Sequence, residues 1–194
     1  MNAGYSMNNY YDENAKEYIE NTINTDMSLQ YNKFIEYLPK TGHILDIGFG
    51  SGRDMIYFKT LGYEVSGIDT SIEFVNNMKN KGYNVKLESI LDIEYNNEFE
   101  AIWACASLLH IEYNKLKDVF KRCFKALKTN GVMYLSFKYG DFEGELDGRH
   151  FTYLNEEKLN CLLLGLDVEI KEVWISSDKN NRDINWLNCI LTKK

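Results

Sequence analysis

The sequence predicts one doubly wound α/β domain, and three observations carry that prediction. From His43 onward, short apolar runs alternate with helical patterns, as they do where parallel strands are joined by crossover helices. Three glycines fall at every second residue of "HILDIGFGSGRD", directly after the first such run. The last two strand-like runs are joined by a polar turn, which predicts an antiparallel hairpin at one edge. A chain of 194 residues, 44% hydrophobic and 14% aromatic, can fill one core and has room for one domain.

The elements follow in order. "MNAGYSMNNYYDENAKEY" lacks the basic and apolar regions of a signal peptide, and a helix carrying Tyr10, Tyr11 and Tyr18 is expected there. Pro39 precedes "HILDIG", the first strand. "RDMIYFKTLG" reads as a helix with Met55, Ile56 and Phe58 inward and Gly62 as its stop. "YEVSGID" is the second strand, and Thr70 or Ser71 caps the helix "SIEFVNNMKNKG". "YNVKLES" is a weaker third strand and "FEAIWACA" a fourth, buried on both faces. "NKLKDVFKRCFKALKTNG" is the clearest helix, closed by Asn130-Gly131. Leu116, Val119, Phe120, Cys123, Phe124 and Leu127 form its apolar stripe, and lysines and Arg122 cover the other face. "VMYLSFKYG" is the fifth strand, "YGDFEGELDGRHFTY" a loop, and "NEEKLNCLLLG" another helix. "DVEIKEVWI" and "INWLNCILTKK" make the final hairpin across "SSDKNNRD".

Composition excludes several classes. A formal net charge of -7 argues against DNA or an anionic membrane as the main partner, and the basic helix face is expected to be solvated. No apolar run approaches the roughly 18 residues of a spanning helix, so a cytoplasmic location is expected. Cys105, Cys123, Cys161 and Cys189 form no C-x-x-C pair and read as reduced core residues. No metal site is expected.

Asp46-x-Gly48-x-Gly50-x-Gly52 sits at the carboxyl end of the first strand and opens a helix, where a ligand can lie against backbone N–H groups. A dinucleotide-binding turn would need a third glycine where Arg53 stands. The D-x-G-x-G-x-G pattern instead resembles motif I of the class I S-adenosylmethionine-dependent methyltransferases. "YYDENAKEYIENT", "ASLLHI", "LSFKYG" and "DGRHFTYLNEEKL" extend the likeness over nearly the whole chain, toward bacterial small-molecule methyltransferases. The resemblance implies a seven-stranded, mostly parallel sheet in the order 3-2-1-4-5-7-6, with residues 1–40 as a helical lid and 41–194 as the Rossmann-like core. It also implies S-adenosylmethionine as cofactor, S-adenosylhomocysteine as product and a small-molecule methyl acceptor, in a monomer or homodimer.

The same resemblance assigns roles. Asp46, Gly48, Phe49, Gly50, Arg53 and Asp54 lie along the cofactor's methionine end. Phe49 stands where the family commonly has a small residue, and would narrow that space. Asp69, with Thr70 and Ser71 behind it, would accept bonds from the ribose hydroxyls. Ile90, Leu91 and Asp92 would address the adenine edge, although Ser89 stands where the family more often has an acid. Ala104, Cys105 and Ala106 would border the sulfonium. Tyr11 and Tyr18 would cover it, an aromatic face near a sulfonium gaining roughly 0.5–2 kcal/mol. Arg53 is offered either the cofactor's carboxylate or Asp46, and Asp54 favours a helix start. His110 is the general-base candidate, with loop-orienting or packing roles as the alternative. Asp141, Glu143, Glu145 and Asp147 would suit a cationic acceptor or a solvated lid, and Arg149 and His150 are placed to touch either ligand. The rival readings are an adenosyl-binding module without turnover, an NAD-dependent reductase, and an RNA or protein methyltransferase. The reductase lacks a Tyr-x-x-x-Lys pair after the fourth strand, and the last rival lacks an N-P-P-Y-type tetrapeptide.

Overall fold

The computed structural model describes residues 10–179 and 183–194. Parallel strands β1 (His43–Ile47), β2 (Glu64–Asp69), β3 (Asn84–Leu87), β4 (Phe99–Ala104) and β5 (Leu127–Lys138) form most of one sheet. A hairpin of β6 (Glu143–Leu146) and β7 (Arg149–Thr152) stands apart from it. Strands β8 (Val168–Ser177) and β9 (Asn185–Lys193) add an antiparallel edge, giving the order β3-β2-β1-β4-β5-β9-β8. With the separate hairpin set aside, this is the expected 3-2-1-4-5-7-6.

Helices pack on both faces. On one side α2 (Ser28–Ile35), α3 (Arg53–Thr60) and α4 (Ile72–Asn80) cover the sheet, with Phe34, Phe58, Phe74 and Met78 buried against Ile44, Val65 and Trp103. On the other side lie α5 (Tyr113–Ala126) and α6 (Glu156–Leu163), contributing Leu116, Phe120, Phe124 and Leu159. The helical spacing in α5 dictates this outcome: its apolar stripe is buried while Lys115, Lys121, Arg122 and Lys125 face solvent. The short helix α1 (Ala15–Thr22) lies over the carboxyl ends of the strands, where Tyr18 packs on Phe74. Tyr31 and Phe34 are fully inside the core, so the chain from Ser28 onward belongs to the packed layer. Between the two candidate caps, it is Ser71 whose hydroxyl accepts the Phe74 N–H, at 3.4 Å.

Three expectations are corrected. Helix α5 ends at Ala126 rather than at Asn130-Gly131, because Leu127 already pairs with Phe99 on β4. The next pairing joins Ala101 to Val132, so the residues between must bulge, with Asn130 at φ 61°. The segment read as a loop after β5 is the β6–β7 hairpin, and its two-residue turn is Asp147-Gly148 at φ 51° and 72°. An Asp-Gly pair is the ordinary signature of such a turn, overlooked among the acids around it. Cys123 and Cys189 are buried, but Cys161 is exposed and Cys105 only partly covered; all four are free. Residues 1–9 of the amino-terminal segment and 180–182 of the polar turn lie outside the described residues.

Candidate active site

The candidate site gathers at the carboxyl ends of β1, β2, β4 and β5. Gly48 turns the chain out of β1 at φ 67° while its N–H donates to the Ile68 carbonyl at 2.8 Å. A Cβ there would lie 2.5 Å from Ser107, and one at Gly52 would lie 2.2 Å from the Met78 sulfur. These two glycines therefore make room for the protein's own packing. Gly50 is different: its N–H donates to Asp69 Oδ2 at 2.9 Å, and the Tyr18 ring lies over it. Phe49 does not narrow the cleft, because its buried ring turns into the core against Gly67.

Two acids stand at the strand ends. Asp69 accepts from the Gly50 and Ser71 amides, each at 2.9 Å, yet burial pushes its carboxyl up to about 6. Asp46 is 1% exposed and its Oδ2 has no hydrogen-bond partner. Burial first, then the nearby charge of Asp54, holds its carboxyl well above the usual range. A buried carboxylate oxygen without a donor is a costly arrangement, and it suits a site whose ligand brings one.

Arg53 and Asp54 form a closed cluster. Arg53 Nε and Nη2 donate to the two Asp54 oxygens at 2.6 and 2.9 Å. Trp103 Nε1 donates at 2.8 Å and the Tyr31 hydroxyl completes the set. Burial opposes the charge on Asp54, but Arg53 and these donors together hold its carboxyl below the usual range. Arg53 thus engages Asp54 rather than Asp46. Sequence reading missed Tyr31 and Trp103; the signal was an indole in an otherwise apolar strand, which must find an acceptor.

Beside this cluster opens a cleft of about 810 Å³. Its walls include Tyr11, Tyr18, Arg53, Cys105, Ala106, His110 and Arg149, together with Ser136, Lys138 and Asn188, which the sequence did not single out. Ala106 is held at φ 52° with its N–H on the Ser136 hydroxyl at 2.9 Å, a strained backbone of the kind that recurs at functional sites. Burial pushes the Cys105 thiol up to about 12, so it stays protonated and unreactive. Ala104 is buried behind the wall, while Ile90, Leu91 and Asp92 form the turn after β3 and do not line the cleft. Thr70 and Ser71 follow Asp69, and the Asp12 carboxylate accepts from the Ser71 hydroxyl. A shallower surface groove of about 780 Å³ between α6 and β8 contains none of these residues.

His110 ends a 3-10 turn, Leu108–His110, that follows β4. Its Nδ1 lies 2.8 Å from the His150 carbonyl and its Nε2 lies 2.8 Å from the Tyr11 hydroxyl. A carbonyl only accepts, so Nδ1 carries the proton and Nε2 accepts from Tyr11. Burial pushes the imidazole down to about 4, leaving it neutral at pH 7. The hairpin acids turn elsewhere: Glu143 accepts the Tyr113 N–H at 2.9 Å, and Asp141 takes the Asn155 amide at 2.8 Å. Neither these two nor Glu145 and Asp147 line the cleft.

Comparison with known proteins agrees with this geometry. A family model described as a methyltransferase domain matches residues 44–131, from β1 into β5. Over residues 44–131 the chain is similar to this methyltransferase family, and its sheet has the fold of the class I S-adenosylmethionine-dependent methyltransferases. The family's methyl donor gives it its name. The Bacillus subtilis (strain 168) protein YqeM, a methyltransferase by name, is 30% identical over 125 residues, 58% of this chain. The match spans about half of that protein's length, 51%. An uncharacterized methyltransferase of Staphylococcus carnosus (strain TM300) is 26% identical over 186 residues, covering 81% of this chain and 89% of that one. Among solved structures, the Burkholderia thailandensis 1,6-didemethyltoxoflavin-N1-methyltransferase superposes with a TM-score of 0.81 at 17% identity, over 98% of this chain and 88% of that one. That structure has 1,6-didemethyltoxoflavin and S-adenosylhomocysteine bound. Among the described residues, no helix is long and apolar enough to cross a membrane, and no group of His, Cys, Asp and Glu could hold a metal ion.

Proposed function

We propose that this chain transfers the methyl group of S-adenosylmethionine to a small-molecule acceptor in the cleft, acting mainly by binding and orienting both partners. The carrying observation is the cleft itself: about 810 Å³, of small-molecule size, opening on Cys105 and Ala106 at the end of β4. The unpartnered Asp46 oxygen fits the cofactor's ammonium group, and Asp69 fits the ribose hydroxyls. Gly48 and Gly50 bring backbone along the methionine end, and Thr70 and Ser71 support Asp69. Ile90, Leu91 and Asp92 border the adenine. Tyr11 and Tyr18 roof the site, so the lid is the segment from residue 10 to about Met27. Arg53 and Asp54 brace the floor through their mutual pair.

When bound, the cofactor supplies a sulfonium methyl that is already electrophilic. The chain's own work is then proximity and exclusion of water. Neutral His110 stands in the wall and can take up an acceptor proton at Nε2, the atom that now accepts from Tyr11. The edge strand β8 leaves room for a monomer or a homodimer. Calorimetric titration with S-adenosylmethionine, S-adenosylhomocysteine and NADH tests the reading. Binding of the two adenosyl compounds without NADH supports it, and silence toward both in folded protein sinks it. A metabolite screen for S-adenosylhomocysteine release then looks for the acceptor.

A further inference from the structure

Arg149 on β7 faces rings rather than acids. Its guanidinium lies 4.1 Å from the Tyr10 ring centroid, 5.2 Å from Phe151 and 5.9 Å from Tyr11. Its guanidinium meets the neutral Tyr11 hydroxyl, but its Nε is buried without a hydrogen-bond partner, and it enters no ion pair among the described residues. Lys138 Nζ stands 4.0 Å from the same Phe151 ring, and the His110 ring is 4.8 Å from it. Two cations and the candidate base thus surround one phenyl ring in the cleft wall. Ring faces stabilise a cation but do not satisfy its N–H groups, and a buried donor without an acceptor is destabilising. The hairpin's acids do not supply one, since Glu143 and Asp141 are engaged with Tyr113 and Asn155. An oxyanion on a bound ligand would, and guanidinium is the group best matched to carboxylate or phosphate oxygens.

We propose that Arg149, with Lys138 beside it, is an oxyanion subsite for the acceptor, so that the molecule methylated carries a carboxylate or phosphate group. The proposal rests on the methyl-transfer reading above.

The test titrates the protein, saturated with S-adenosylhomocysteine, with benzoate, phenyl phosphate, benzamide and benzylamine. At least one anion is expected to bind about tenfold or more tighter than benzamide, the scale of one charge-assisted hydrogen bond. Arg149→Met should abolish that preference and Arg149→Lys should keep part of it, both with unchanged S-adenosylhomocysteine affinity. Which of benzoate and phenyl phosphate binds tighter tells carboxylate from phosphate. Benzamide or benzylamine binding as well as the anions would overturn the proposal. So would anion binding that survives Arg149→Met, or a Met variant that loses the nucleoside instead, since Arg149 would then merely clasp Tyr10 and Tyr11. If wild-type protein bound no S-adenosylhomocysteine, the methyl-transfer reading would fail alone, and the anion titration without it would still read the subsite.

Discussion

Two arginines line one cleft, and the protein treats them in opposite ways. Arg53 is matched on both forks by Asp54, which is itself held by Tyr31 and Trp103. Arg149 rests on aromatic faces with a buried N–H left over. The first is a finished structural unit whose charges cancel within the fold. The second is an unfinished one, and unfinished polar groups mark where a ligand is expected to complete the structure. Asp46, with its orphaned oxygen, belongs with Arg149 in this respect, although it stands beside Arg53 in the fold.

The largest effect should come from making Arg53 resemble Arg149. Asp54→Ala strips the guanidinium, the indole N–H and the Tyr31 hydroxyl of their shared acceptor. Side-chain exposures of 18% and 8% place the pair well inside the protein. Breaking such a pair on one side costs about 3–5 kcal/mol, which urea denaturation would read directly. A loss under about 1 kcal/mol, the range of a surface pair, would mean the cluster is not closed.

Next comes Asp69. Asp69→Ala should weaken S-adenosylmethionine binding by roughly 1.5–3 kcal/mol, the range for hydrogen bonds to a charged group. Unchanged affinity would remove Asp69 from the site. Its pH dependence is a second handle. The folded carboxyl titrates near 6, above the roughly 3.9 of an unfolded aspartate. Between those values the folded apoprotein holds a proton that the unfolded chain does not, so this group's contribution to stability falls as pH rises through that window. Hydroxyl donors on the ribose favour the carboxylate, so cofactor affinity should drop about tenfold from pH 7 to pH 5. A flat profile by calorimetry would place the titration elsewhere.

How much of this was legible in the sequence follows the same division. The alternation of runs predicted the elements, because parallel strands and crossover helices repeat a periodic burial that composition reveals. Asp46, Gly50 and Asp69 could be singled out as candidates because a glycine-rich turn and an acid at a strand end are local patterns. The Tyr31–Arg53–Asp54–Trp103 cluster could not, since its members come from three elements, α2, α3 and β4, and only packing brings them together. Leu127 looked helical because it continues the stripe of α5, until Phe99 on β4 captured it into the sheet. The hairpin was hidden by its acids, which drew the eye toward ligand charge and away from the Asp147-Gly148 turn. The mistake had a consequence for function. The hairpin presents Arg149 to the cleft and its acids to solvent or neighbouring backbone, which favours the solvated reading of those acids over a cationic acceptor and leads to the anionic acceptor proposed above.

Tyr11 connects the two regions, its ring within reach of Arg149 and its hydroxyl on His110. Tyr11→Phe removes the hydroxyl that donates to His110 Nε2 and also meets Arg149, leaving the imidazole nitrogen without a donor. A loss of about 1 kcal/mol in stability is expected, with the T-shaped contact to Tyr18, at 5.5 Å, retained. With its pKa near 4, His110 should show no titration between pH 5 and 8 in the wild type. Nuclear magnetic resonance of the imidazole in both proteins would check this. A titration near 6.5, the ordinary value for histidine, would mean the ring is not buried as described.

The smallest effect should belong to Arg149. In the ligand-free protein its Nε offsets no charge and fills no acceptor, while its stem and ring contacts can be made by an unbranched apolar chain. Arg149→Met should therefore change stability by no more than about 0.5–1 kcal/mol, the size of an exposed cation–π contact, even as it removes anion preference. Set beside Asp54→Ala under the same urea titration, the two variants measure the difference between a charge the fold has completed and one it has left for a ligand. A loss of about 3 kcal/mol or more at Arg149, the range for breaking a buried pair, would show that the fold depends on both arginines alike.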